Sequence, residues 1–105
     1  MDEKFKRFLP IGTVVLLRGG SKKIMITGYC AYEKENPNQM YDYNGCIYPE
    51  GYISSELVCL FNHKQIHKIY HLGYANEENA KWKEKLNEYV DKLDKGEEAV
   101  LEITE

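Results

Sequence analysis

Three histidines, His63, His67 and His71, are spaced four residues apart. On a helix this spacing would place them on one face, as a metal site requires. The residues from Ile66 to Tyr74 alternate as in a strand, however, and there His67 and His71 would lie roughly 13 Å apart. That is too far for both to bind one ion, and no second ligand motif supports a metal. We therefore expect no metal and no cofactor.

Nucleophilic catalysis would need a serine or cysteine with an oriented base beside it. Ser54 and Ser55 lack the flanking glycines of a nucleophile elbow. The three cysteines, Cys30, Cys46 and Cys59, are too few and too widely spaced for a disulfide framework, and each lies in an apolar or aromatic stretch typical of a buried thiol. We therefore expect no catalytic residues and a protein that is not an enzyme.

Nine tyrosines in 105 residues are the most distinctive feature of the composition. Tyrosine combines a large apolar ring with a polar tip, which makes it common at protein interfaces, although several must also fill the core of a small sheet. Four of them surround the break at Pro49 to Gly51. The residues predicted to contact a partner protein are Tyr41, Tyr43, Tyr48, Pro49, Glu50, Gly51, Tyr52, Trp82 and Tyr89.

Nucleic-acid binding is the less favoured alternative. Small barrels often stack bases on exposed aromatic rings, and basic side chains could form a patch beside them. However, the 17 acidic residues outnumber the 14 basic ones, which gives a net charge of -3 and argues against a polyanionic partner. The basic residues considered for such a patch are Lys4, Lys6, Arg7, Arg18, Lys22 and Lys23.

A β-hairpin is the clearest element near the start of the chain. Thr13–Arg18 and Ile24–Tyr32 are rich in β-branched and aromatic residues, and the Gly19-Gly20-Ser21 segment between them is a turn signal. These glycines lack the Gly-Lys-Ser/Thr pattern of a phosphate-binding loop. Gly28 inside the second strand predicts a bulge or a sharp bend.

The middle of the chain predicts further short strands separated by polar breaks. Glu33–Gln39 reads as a loop, and Asn44-Gly45 favours a bulge over a turn because strand-like residues resume at once. Asn62 is placed to cap a short helical turn. The predicted strands are Met40–Tyr48, Leu57–Phe61 and Ile66–Gly73, with a break at Pro49–Gly51.

A single helix is predicted near the end of the chain, over residues 76–95. Asn76 is the candidate N-cap and Gly96 the stop. Its amphipathic stripe either closes the core of the same chain or docks on a helical partner, and residues 97–105 form either an edge strand or a disordered tail. The stripe consists of Trp82, Leu86, Tyr89, Val90 and Leu93.

Together these elements predict one domain over residues 1–105, of the α+β class and mainly β. Residues 9–74 would form a small twisted antiparallel sheet or an SH3-like open barrel, closed by the C-terminal helix. The longest apolar run, Val14–Leu17, is far shorter than a membrane span needs, and no export signal follows the basic N-terminus. We therefore expect a cytoplasmic protein without membrane insertion; its oligomeric state is not predicted.

Four ordered blocks of the sequence resemble a known family. The blocks are residues 9–28, 42–51, 61–63 and 73–74. They resemble the family named domain of unknown function 4176, whose members are small proteins of Gram-positive bacteria. Its members are often encoded beside type VII secretion genes and LXG-class toxins, and it has no established catalytic residues. The resemblance implies a cytoplasmic adaptor or chaperone-like accessory factor whose partner is a secreted toxin or its helical targeting partner. It alternatively implies an immunity protein for such a toxin.

Overall fold

The computed structural model describes residues 6–103. Within this range, residues 6–74 form one compact unit and residues 75–103 form a second. Lys4 of the predicted basic patch and the last two residues of the predicted tail lie outside the described range. A single domain over residues 1–105 therefore stays a prediction.

The first unit is an open five-stranded antiparallel sheet with the strand order β4-β3-β2-β1-β5. Together with the single C-terminal helix, this sheet confirms the predicted α+β class in which β structure dominates. The two edges of the sheet are β4, which is short, and β5. The strands are β1 (Val14–Leu17), β2 (Ile24–Glu33), β3 (Asn36–Ile47), β4 (Cys59–Phe61) and β5 (Ile66–His71).

The β1–β2 hairpin is confirmed, with Val15 opposite Ile24 in an antiparallel register. Its turn closes as predicted, since the Gly20 N–H donates to the Leu17 carbonyl over 3.0 Å. The bulge at Gly28 is also confirmed, because the β2–β3 register shifts between Ile26 and Gly28. Asn44-Gly45 is not a turn. Those residues continue β3 opposite the bulge, and the extra residue belongs to β2.

The predicted loop over residues 33–39 was too long. Only Lys34 and Glu35 form the turn, and β3 already begins at Asn36, which pairs with Glu33. The side chains at positions 36–39 are all exposed and, apart from Pro37, polar, so their sequence carries no hydrophobic alternation. The strand nevertheless begins at Asn36, because Asn36 pairs with Glu33 and Met40 pairs with Tyr32, and residues 37–39 lie in the register shift between these two pairs. The β2–β3 hairpin is therefore longer than its apolar pattern indicates.

The core of the first unit lies on one face of the sheet around Tyr43, which is fully buried. Its ring stacks on Phe61 with the centroids 5.2 Å apart. Its hydroxyl oxygen accepts the N–H groups of Phe8 and Leu9 over 2.9 Å and 3.0 Å. Tyr43 thus ties the segment before β1 to the middle of β3. The buried cluster consists of Leu9, Val15, Ile24, Ile26, Tyr43, Phe61 and Ile66.

A close backbone approach joins the two ends of the first unit. Gly73 donates its N–H to Oγ1 of the fully buried Thr13 over 3.0 Å. A β-carbon at Gly73 would overlap the carbonyl oxygen of Ile11. Only glycine fits there, because the backbones of the entering and leaving segments touch.

The second unit consists of helix α1 (Glu77–Asp94) and the residues after it. Its predicted caps are confirmed: the Asn76 side chain accepts the Asn79 N–H over 3.0 Å, and Gly96 ends the helix at a φ of +77°. Leu86 and Val90 of the stripe are buried. Residues 97–103 form no strand, so the edge-strand alternative fails for that part of the tail. No helix within residues 6–103 has the length and apolar character needed to span a membrane.

Candidate protein-interaction surface

A loop that leaves β3 carries most of the predicted partner residues, and hydrogen bonds hold its backbone. We call residues 48–53 the aromatic loop. Tyr48 donates its N–H to the Lys23 carbonyl over 2.9 Å, and Gly51 donates its N–H to the Ile47 carbonyl over 2.8 Å. Gly51 has a φ of +80°, a conformation that glycine adopts without strain. The loop therefore presents its side chains from a fixed backbone.

An ion pair also fixes the tip of the aromatic loop. Lys22 Nζ lies 2.6 Å and 2.8 Å from the two carboxylate oxygens of Glu50. The hydrogen bond from Lys22 lowers the pKa of the Glu50 carboxyl, which keeps it ionised. Both side chains are exposed, so the pair adds little stability. It does link the loop to the turn region of the β1–β2 hairpin.

The side chains of the aromatic loop face solvent. Tyr52 is 69% exposed, Ile53 is 58% exposed and Tyr48 is 44% exposed. Pro49 and Glu50 between them are exposed as well. Scattered exposed apolar residues are ordinary, but a run of them on one anchored loop is typical of an interaction site. The structure thus brings together five of the nine predicted contact residues, namely 48–52.

Tyr43 is the exception among the predicted contacts, because the fold places it in the core. Its hydroxyl accepts two backbone N–H groups, so its own proton is left for His63 Nδ1, 2.8 Å away. That bond requires the neutral imidazole to carry its hydrogen on Nε2. Burial raises the pKa of the Tyr43 hydroxyl above its ordinary value. Tyr43 therefore positions the chain and offers no surface to a partner.

Tyr41 lies two residues before Tyr43 on β3 and is only half-buried. It lines a groove of about 670 Å³ together with Tyr32, Val58 and Leu60. Glutamates from the β2–β3 turn and from the segment before β4 also line this groove. The groove had no signal in the sequence, because its walls come from separate parts of the chain.

The predicted contacts Trp82 and Tyr89 belong to the second unit and are half-buried. Trp82 lines a cavity of about 500 Å³ with Ile103. Tyr89 lines another of about 280 Å³ with residues 99–102. Lys85 Nζ reaches the Glu102 carbonyl over 3.5 Å, so residues after the helix lie along α1 and next to both aromatic rings.

The histidines and cysteines are not assembled into a reactive centre within residues 6–103. No three side chains of the types that bind metals come close enough there to hold an ion. Burial, followed by the charge of Asp42, raises the pKa of the Cys30 thiol to about 11. Burial likewise raises the pKa of Cys59. Both thiols are therefore protonated near neutral pH, whereas a nucleophilic cysteine needs a lowered pKa.

A cationic cluster combines Lys23, which the sequence analysis considered for a basic patch, with Lys68 and Tyr70, which it did not. Lys23 Nζ is 4.7 Å from the centre of the Tyr70 ring, and Lys68 Nζ is 4.9 Å from it. Lys23 immediately precedes β2, whereas Lys68 and Tyr70 belong to β5, and β1 lies between those strands. We call these three residues the dibasic cluster. Lys23 and Tyr70 are 47 positions apart in the sequence. They come together because β1 pairs with β2 on one side and with β5 on the other.

Comparison with known proteins gives one family. The family model described as "Domain of unknown function (DUF4176)" matches residues 8–82. This range covers the whole sheet and the first six residues of α1. No curated protein and no solved structure matches the chain.

Proposed function

This chain belongs to the DUF4176 family, and we propose that it is a non-catalytic protein-interaction module. The observation that carries the proposal is the aromatic loop, whose exposed Tyr48, Tyr52 and Ile53 project from a hydrogen-bonded backbone. Tyrosine buries a large area on binding while losing few rotamers. A loop that is already ordered also loses little entropy when a partner covers it.

The partner that we propose is another protein, either a secreted toxin of the LXG class or the helical protein that targets it. The support is the resemblance of the sequence blocks to a family encoded beside type VII secretion genes. In this role the chain is a cytoplasmic adaptor or chaperone-like factor. The groove beside Tyr41 and the aromatic rings of α1 supply further apolar surface for such a contact.

The experiment is co-expression of the full chain with each neighbouring toxin and small helical protein, followed by purification through a tag on the chain. We expect a stable complex with at least one of them. Tyr52→Ser should weaken that complex about tenfold or more, as loss of a central interface aromatic does. Tyr74→Ser is the matched control, because Tyr74 is also highly exposed, at 81%, but lies outside the aromatic loop.

Two results would contradict the proposal. One is the absence of any complex with every neighbouring gene product. The other is an equal effect of Tyr52→Ser and Tyr74→Ser on a complex that does form. Deletion of the gene separates the alternative role: an immunity protein is needed for protection from the toxin, whereas an adaptor is needed for its export.

A further inference from the structure

The dibasic cluster holds two positive charges close together on the surface. Both ammonium groups lie over one exposed ring, so they are less than about 10 Å apart. This separation is comparable to the Debye length of roughly 8–10 Å at near-physiological ionic strength, so salt screens their repulsion only in part. Each gains a cation–π contact with Tyr70. The ring thus holds in place two charges that repel each other.

Carboxylates of this chain do not neutralise the cluster. Over residues 6–103, neither Lys23 nor Lys68 lies within ion-pair distance of an acidic side chain, whereas the neighbouring Lys22 pairs with Glu50. Arg18 adds a further charge at this end of the sheet, where its Nε donates to the Lys64 carbonyl over 3.3 Å. A chain of net charge -3 therefore carries a local positive surface.

We propose that the dibasic cluster binds carboxylates of an acidic, extended segment of the partner protein. This inference rests on the proposed function and adds the chemistry of the partner. A carboxylate beside either ammonium group forms charge-assisted hydrogen bonds and offsets the positive potential to which both groups contribute. The Lys23 carbonyl also accepts the Tyr48 N–H, so the cluster adjoins the aromatic loop and one segment can contact both.

An extended polypeptide fits this place better than a nucleic acid. Lys68 and Tyr70 lie on β5, which ends the sheet and offers backbone groups on its outer edge to a further strand. The Tyr70 ring already has ammonium groups over it, so it is not a free platform for stacking bases. Alternating side chains of an added strand would bring acidic groups onto the side of the sheet that carries the two lysines.

The test uses the full chain and three fluorescein-labelled probes: an alternating Glu-Val peptide of about ten residues, the matched Gln-Val peptide, and an oligothymidylate of about ten nucleotides. Fluorescence anisotropy measures binding at low and physiological salt. We expect the Glu-Val peptide to bind about tenfold or more tightly than the Gln-Val peptide, with affinity falling as salt rises. Backbone amide shifts on binding should be largest in β5.

The double variant Lys23→Gln/Lys68→Gln should lose that preference. The matched control, Lys81→Gln/Lys92→Gln, removes the same charge from exposed positions on α1 and should retain it. Circular dichroism of both variants reports folding, and single Lys68→Gln provides a milder change if the double variant unfolds.

Three outcomes overturn the inference: equal binding of the two peptides, equal effects of the two double variants, or binding of the oligothymidylate alone. The last would assign the cluster to nucleic acid. The co-purification experiment keeps the two proposals apart. Suppose that Tyr52→Ser abolishes the complex but Lys23→Gln/Lys68→Gln does not change it. That result supports the proposed function and contradicts the proposed acidic segment of the partner. Absence of any complex removes the proposed function itself.

Discussion

Replacing Tyr43 by phenylalanine removes one oxygen atom from the centre of the sheet unit. That oxygen accepts the N–H groups of Phe8 and Leu9, whose side chains are 1% and 3% exposed. The substitution leaves both buried donors without an acceptor, at about 1–3 kcal/mol each. We expect Tyr43→Phe to lower the free energy of unfolding by about 2–6 kcal/mol, even though the aromatic ring and its stacking on Phe61 remain.

Urea denaturation followed by circular dichroism, including the near-ultraviolet signal of the buried tyrosines, measures this change. For a protein of this size, the midpoint should fall by about 1–2 M urea or more. Hydrogen exchange provides a second readout, since the amides of Phe8 and Leu9 should lose protection before those of β1. Tyr52→Phe is the matched control, because the Tyr52 hydroxyl is exposed, and its effect should stay within about 0.5 kcal/mol.

A free energy of unfolding for Tyr43→Phe within about 0.5 kcal/mol of the parent would refute this reasoning. It would mean that the segment before β1 does not depend on Tyr43 for its hydrogen bonds. Unchanged protection of the Phe8 and Leu9 amides would lead to the same conclusion.

Two further predictions concern the close backbone approach at Gly73 and two half-buried ionisable groups, the Cys30 thiol and the Tyr29 hydroxyl. Gly73→Ala should lower the free energy of unfolding by about 2–4 kcal/mol, because its β-carbon would overlap the Ile11 carbonyl oxygen. Gly96→Ala, at the exposed end of α1, is the control and should lower it by less. Thermal unfolding compares the two variants, and an equal loss of stability would contradict the close approach at Gly73. Burial raises the pKa of Cys30 to about 11 and that of Tyr29 to about 12, so the unfolded chain ionises first and the free energy of unfolding should fall as pH rises above about 9. Urea titrations at pH 8 and at about pH 10 measure the fall, and a stability that rises over that interval would show that these groups are not buried as described.

Local signals predicted the elements that depend on local chemistry. The Gly19-Gly20 turn, the bulge at Gly28 and the Asn76 cap each follow from what a few neighbouring residues can adopt, and each is present. The first residues of β3 were missed because their exposed side chains show no hydrophobic alternation and because a register shift separates the Asn36–Glu33 pair from the next pair, Met40–Tyr32.

The functional surface could be predicted only in part, since it depends on which faces the sheet leaves exposed. Tyr41, Tyr43 and Tyr48 look alike in sequence, yet only the pairing of β3 decides that Tyr43 is buried while Tyr48 is exposed. The dibasic cluster depends on the strand order, which places β1 between β2 and β5. No spacing along the chain encodes that arrangement.

The contact between Gly73 and the Ile11–Thr13 segment means that the segment leading into β1 lies beside the segment that follows β5. A domain whose entering and leaving segments are adjacent can be inserted into a surface loop of another protein, because the two ends of that loop need not move apart. It can equally be permuted, with its old ends joined by a short linker and new ends opened in the exposed turn at Lys34-Glu35. We therefore expect the sheet unit to keep its fold in either rearrangement as long as the Gly73 contact is kept.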